Sequence, residues 1–207
     1  MKKLLYKELK LVLHPVNIMF LAFSSMLMIP SYPYFIIAFY ACLGIFMMSI
    51  TARENKDDYY SMMLPIKKSE TVKARFLMAT FLESLQVVIA IPFALMNLAL
   101  YPAGNQAGMD PTPAFFGFLL VLFGVFNLIF FTRYYKDTSK VGVPFLWGCI
   151  GIAVLMILIE GVSFAKIISF ASPQAQLTAL TAGIILYSLL TFASYKKSVK
   201  SFECMDF

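Results

Sequence analysis

Charge is scarce in this chain: Lys, Arg, Asp and Glu make up 14% of its 207 residues, where a soluble domain carries about 25%. So little charge does not cover a water-exposed surface, and a soluble globule is not expected. Histidine occurs once, as His14, and Cys42, Cys149 and Cys204 stand far apart with no CxxC spacing. Neither a zinc site nor a disulfide framework is expected from them. The sequence contains no Gly-rich phosphate loop, no HExxH and no GxSxG, and we read no catalytic acidic pair in a cytosolic loop. We therefore expect no catalytic residue, no metal and no directly bound cofactor, and no binding or hydrolysis of ATP by this chain itself. What is present is 60% hydrophobic and 16% aromatic residues, a composition suited to lipid. The net charge of +6 would suit nucleic acid in a soluble protein. Here its distribution along the chain matters more, and no nucleic-acid partner is expected.

Crossing about 30 Å of hydrocarbon takes about 20 apolar residues in a helix. Runs of that order, ended by prolines and charge clusters, cover residues 16–29, 34–52, 76–100, 114–132, 141–162 and 176–195. The first is short and reaches membrane length only by borrowing residues 11–14; it closes in Pro30-Ser31-Tyr32-Pro33, a turn fit for a hairpin tip. The expected fold is all-α, a polytopic membrane protein with six transmembrane helices.

Basic residues collect in cytoplasmic segments, which tests this division independently. With six spans and both termini inside, the N-terminal segment holds Lys2, Lys3, Lys7 and Lys10, the 53–75 loop six basic residues, residues 133–140 three, and the tail Lys196, Lys197 and Lys200. The three external connections, 30–33, 101–113 and 163–175, offer only Lys166. Dropping any one span scrambles the pattern.

Residues 1–14 interleave Leu4, Leu5, Leu11 and Val12 with Lys2, Lys3, Lys7, Glu8 and Lys10. The interruptions argue against a cleavable signal peptide. The spacing predicts an interfacial amphipathic helix, its lysines drawn to lipid headgroups and its leucines dipped into the acyl boundary. An ordinary charged flank of the first span is the alternative; Pro15 favours a separate element.

The 53–75 loop is the longest cytoplasmic connection and keeps an apolar patch amid its charges. A short helix over 54–64 would set Tyr59, Met62 and Met63 on one side, opposite the acidic residues, until Pro65 stops it. Such a helix could dock in a groove on another protein; a solvated loop is the alternative.

Within the spans only Glu83 and Glu160 are titratable carboxylates at depth. Glu83 either lines a pathway or subunit contact, or reaches back toward Lys73 or Arg75. Glu160, near the outer end of the fifth span, can meet water or Lys166. Pro92 and Pro144 are expected to kink their helices. Gly148, Gly151, Ala179, Ala182 and Gly183 permit close helix approach, a weak sign of a dimer face. Phe115, Phe116, Phe118, Phe123, Phe126, Phe130 and Phe131 cover most of the fourth span, and lipid contact is the economical reading of them.

Two stretches carry a likeness. Lys2-Lys3-Leu4-Leu5-Tyr6-Lys7-Glu8-Leu9-Lys10 opening a six-span chain, and Leu64-Pro65-Ile66-Lys67-Lys68-Ser69-Glu70-Thr71-Val72-Lys73-Ala74-Arg75-Phe76 leading into span three, resemble the small bacterial ABC type-2 exporter permeases. In size and texture the chain is also similar to the membrane subunits of phenol-soluble modulin exporters, which move amphipathic helical peptides. The resemblance implies a bacterial cytoplasmic-membrane subunit that pairs with a second permease chain and binds two separate cytosolic ATPase subunits, in which ATP and Mg reside. It implies a coupling helix at about 54–64, with Glu54, Asp57, Asp58, Tyr59, Tyr60, Met62, Met63 and Leu64 as ATPase-coupling residues, and an interfacial helix at 1–14. The short outer connections leave no room for the large external domain some relatives carry.

The expected cargo is hydrophobic or amphipathic, a peptide or a lipid-like molecule, because an interior of Phe, Met and Leu suits neither sugars nor ions. Two readings stand beside the exporter. One is an ion-coupled carrier using Glu83 as its proton site, and the other a non-transporting scaffold or immunity protein.

Overall fold

A computed structural model describes residues 2–13, 15–164 and 172–205; Met1, His14, Lys166 with the rest of 165–171, and the Lys2 side chain lie outside the described part. Among the described residues eight α-helices follow one another: α1 (Lys2–Lys7), α2 (Val16–Ala22), α3 (Ile36–Glu54), α4 (Asp57–Met63), α5 (Lys68–Leu100), α6 (Pro113–Tyr134), α7 (Gly142–Phe164) and α8 (Pro173–Glu203). A π-helical turn, Glu8–Val12, continues α1, and a 3-10 turn, Phe23–Met28, continues α2. No strand occurs among the described residues. The protein is an all-α polytopic membrane protein.

Among the described residues five helices, α3 and α5 to α8, are long and apolar enough to cross a membrane. The first expected span is a bent pair of helical segments instead of one straight helix. Segments Lys3–Val12 and Val16–Met28 meet at 86°, so Leu11 and Val12 do not extend α2 along its axis as its length required. Pro15, without an N–H to donate, stands at the corner. Seven α-helical and six 3-10 residues rise about 22 Å, short of a full crossing.

Helix limits differ from the hydropathy reading where polar residues are helical. α5 starts at Lys68 rather than residue 76, because Lys67 is extended and the polar turn after it already winds. α8 starts at Pro173 with Ser172 as its cap, its Oγ accepting the Ala175 N–H at 3.2 Å, and runs on to Glu203. α5 passes through Pro92 as one element. Pro144 is the third residue of α7, where a helix has no N–H partner to lose, so it lies at a start rather than at a kink.

The core is built around α6. Phe115, Phe123, Phe126, Phe130 and Phe131 are fully buried, and Phe116 and Phe118 pack on the same core. This corrects their assignment to lipid: α6 is enclosed by α3, α7 and α8, so its aromatic girth meets protein on most sides. The small residues serve the same packing. A methyl added at Gly183 would run into the Gly117 backbone, one at Gly117 into the Ala179 backbone, and one at Gly148 into the Phe126 ring. They let α7 and α8 close onto α6 within one chain, which removes them as evidence for a dimer face, and Ala182 points outward.

The connections sort to two ends. At one end Lys7 bonds Asp57, Tyr134 bonds Asp58, Tyr135 packs on Phe202, and Lys68 donates to the Met205 carbonyl. At the other, Asn105 donates to the Tyr32 carbonyl at 2.9 Å, the Met109 N–H to Glu160 Oε2 at 2.9 Å, and Asn97 to Leu27 O and Tyr34 Oη. The four basic segments thus share one end, called the basic end below. Glu160 is met by a backbone N–H.

Candidate functional site

At the basic end the polypeptide breaks between α3 and α4. Asn55 and Lys56 separate them, and Lys56 adopts a left-handed conformation (φ 49°) that turns the chain. Glu54 therefore ends α3, exposed, and is not part of the short helix. α4 begins at Asp57 and ends before Pro65, as a proline after a helix requires.

α4 turns its acidic side inward. Asp57, Asp58 and Ser61 are buried, whereas Tyr59 (46% exposed), Tyr60 (59%), Met63 (63%) and Leu64 (54%) face out. Met62 leaves the exposed group, because it packs partly buried against the core. The segment over α1 repeats the inversion. Leu4, Glu8 and Val12 form one buried stripe at helical spacing, and Tyr6, Leu9 and Leu11 stay exposed.

Between these two surface elements lies Arg75 of α5, wholly buried. Its Nε donates to Glu8 Oε2 at 2.6 Å and its Nη2 to Glu8 Oε1 at 3.4 Å, a two-pronged pairing; Nη2 also donates to Asp57 Oδ2 at 2.8 Å. Lys7 Nζ reaches the same Asp57 oxygen at 2.8 Å, Ser61 Oγ at 3.0 Å and Glu8 at 3.3 Å. Lys7 thus points into the protein and not to headgroups; Lys3 and Lys10 are exposed, Lys10 lying 5.8 Å over the Tyr6 ring. Tyr134 Oη of α6 donates to Asp58 Oδ2 at 3.3 Å.

The cluster holds three carboxylates against two cations. Burial pushes the Asp58 carboxyl above the usual carboxylate range, with Arg75 working against that rise. Protonating Asp58 would balance the charges. Each buried charge here needs its partners, since an ion stripped of water and left alone costs several kcal/mol. The network accordingly ties α1, its π turn, α4, α5 and α6 into one unit. No group of three His, Cys, Asp or Glu able to hold a metal occurs among the described residues; the acidic cluster is taken up by Arg75 and Lys7.

A second polar site lies deeper. Glu83 of α5 is fully buried and accepts from Tyr187 Oη of α8 at 2.6 Å and from Asn127 Nδ2 of α6 at 3.1 Å. It does not reach Lys73 or Arg75, because α5 turns Glu83 to the α6–α8 crossing. Beside it, between α5 and α8, runs an open groove of about 430 Å³ with Phe76, Leu77, Phe192 and Tyr195 for apolar walls, Thr80, Ser188 and Thr191 for hydroxyls, and Lys73 at the basic end.

Sequence reading passed over Glu8 and Arg75 as cluster members. The available signals were an acid midway along the Leu4–Val12 stripe and an arginine at the first turns of a long apolar helix. Asn127 and Tyr187 gave no local signal, since their partner is 44 and 104 residues away.

A family model described as "ABC-2 family transporter protein" matches residues 3–203. No curated protein and no solved structure matches the chain.

Proposed function

The chain belongs to the ABC-2 family of transporter proteins, and on that premise we propose that it is an exporter permease whose cytosolic ATPase subunits dock on the exposed face of α4. As a member it is the membrane component of an ABC transporter; ATP and Mg belong to the partner subunits. The observation that carries the docking assignment is the ion cluster centred on Arg75. Through it α4 and the N-terminal segment rest on α5 by buried, charge-assisted bonds. A displacement of α4 is therefore transmitted to a helix of 33 residues instead of being absorbed by a loose loop. Its outward face of Tyr59, Tyr60, Met63 and Leu64 is of the kind that fills a hydrophobic groove on a partner.

The basic end is the cytoplasmic one by the positive-inside rule, with both termini there and the membrane the bacterial cytoplasmic membrane. Tyr6, Leu9 and Leu11, with Lys3 and Lys10 beside them, suit the headgroup level. A second permease chain, identical or not, completes the unit. The cargo is hydrophobic or amphipathic, a peptide or lipid-like molecule. The groove between α5 and α8 supports this, since it combines aromatic walls with a few hydroxyls and one cation.

Gentle detergent extraction from the native membrane, with mass spectrometry of what stays bound, tests the reading. A stoichiometric ATPase is expected. Recovery of the chain without one, under conditions that preserve its fold, would refute it.

A further inference from the structure

We propose that the groove between α6 and α7 is a binding site for an anionic glycerophospholipid, with the phosphate on Arg133 and an acyl chain laid along the trough below it. The groove encloses about 490 Å³ and opens to the side of the bundle. At its basic end Arg133, exposed and in no ion pair among the described residues, sets its guanidinium 4.6 Å from the centre of the Trp147 ring. Stacking on the indole fixes the fork while leaving N–H donors free for a planar, bidentate grip on phosphate oxygens. An indole beside an arginine is also what the headgroup level of a membrane favours.

Below Arg133 the lining is apolar: Val125 and Ile129 from α6, and Gly151, Val154 and Leu158 from α7. From Trp147 to Leu158 the helix rises about 16 Å, roughly half the hydrocarbon core, which is the depth of one leaflet. A hydrocarbon chain fills such a trough without unmet hydrogen bonds, whereas an extended peptide would bury its amides unpaired. The groove between α5 and α8 differs in this respect, because Thr80, Ser188, Thr191 and two tyrosines bring hydroxyls into its lining. Charge at the mouth and hydrocarbon along the trough together select an anionic lipid of the leaflet at the basic end.

Trp147 is the single tryptophan of the chain, so its fluorescence reads this groove alone. The full chain is reconstituted in phosphatidylcholine vesicles doped with brominated phosphatidylglycerol or, in parallel, brominated phosphatidylcholine. Quenching by the anionic lipid is expected at about fivefold lower mole fraction, the worth of one cation at the surface. Arg133→Gln is expected to erase that preference and Arg133→Lys to keep only part of it, since lysine retains the charge but not the planar fork. Equal quenching by both lipids in the unmodified chain would reduce the groove to unselective lipid contact. No quenching by either would mean that a second copy or another protein covers it. Either result overturns the proposal.

Discussion

Arg75 and Glu8, 67 residues apart in sequence, form a fully buried ion pair at 2.6 Å that fastens the N-terminal segment to the start of the longest helix. Asp57 completes the arrangement by accepting from Arg75 and Lys7 through one oxygen. α4 is thereby fixed to α5, a helix long and apolar enough to cross the membrane.

Removing both partners should cost less than the two single losses added together. Glu8→Leu or Arg75→Leu is expected to lower stability by about 3 kcal/mol or more, because each leaves a buried charge short of its partner. The double variant is expected to lose less than the sum of the two. Thermal unfolding in detergent of the four proteins checks this, and simple additivity would show that the pair is not coupled.

Asp57 and Asp58 are neighbours with different burdens. Asp57→Asn should destabilise, since Arg75 and Lys7 both lose their shared anion. Asp58 holds its proton more tightly in the folded state than in the unfolded chain, so its contribution favours folding at acid pH and is lost as pH rises through its folded value. Asp58→Asn is therefore expected to be at least as stable as the parent at neutral pH, with that advantage shrinking as pH falls to the ordinary aspartate range near 4. Unfolding midpoints between pH 4 and 8 give the comparison, and an advantage that grows on acidification would reverse the assignment.

Glu83 is a clamp across α5, α6 and α8. Glu83→Ala takes the shared carboxylate from Tyr187 Oη and Asn127 Nδ2, leaving Asn127 its long bond to Thr191 Oγ1 at 3.4 Å, and should cost about 1–3 kcal/mol. Glu83→Gln keeps an acceptor for Tyr187 and should retain much of both stability and transport in reconstituted vesicles. Complete loss of transport by a well-folded Glu83→Gln protein would instead favour a proton-coupled carrier.

Close approach of α6 and α8 depends on Gly117 and Gly183. Gly183→Ala drives a methyl at the Gly117 carbonyl, backbone that has nowhere to yield, and is expected to cost about 1–3 kcal/mol. Gly161→Ala in α7, where a methyl meets nothing within 4 Å, should be neutral or gain about 0.5–1 kcal/mol from the lost chain freedom. Equal effects at the two sites would mean that the crossing is not tight.

The sequence made the spans legible because apolar length and the sidedness of Lys and Arg are properties of single segments. The grouping of residues 2–13, 53–75, 133–140 and the described part of the tail at one end follows from that count. Orientation within each segment was less accessible. The α4 pattern announces two faces, but which one turns inward depends on Arg75, eighteen residues on from Asp57. The phenylalanines of α6 read as lipid-facing for the same reason: an all-apolar helix looks alike whether lipid or protein surrounds it. Only the small residues on α7 and α8 hint that neighbours close on it, and those had a second reading as a dimer face.

The outward face of α4 supplies the most direct test. Tyr60→Asp combined with Met63→Asp changes only exposed side chains, so folding and insertion should be kept. The chain is purified from its native membrane with and without this change, and the ATPase recovered per chain is measured. Docking on α4 requires near-stoichiometric ATPase with the parent and at least a tenfold drop with the variant; undiminished recovery from the properly inserted variant would contradict it.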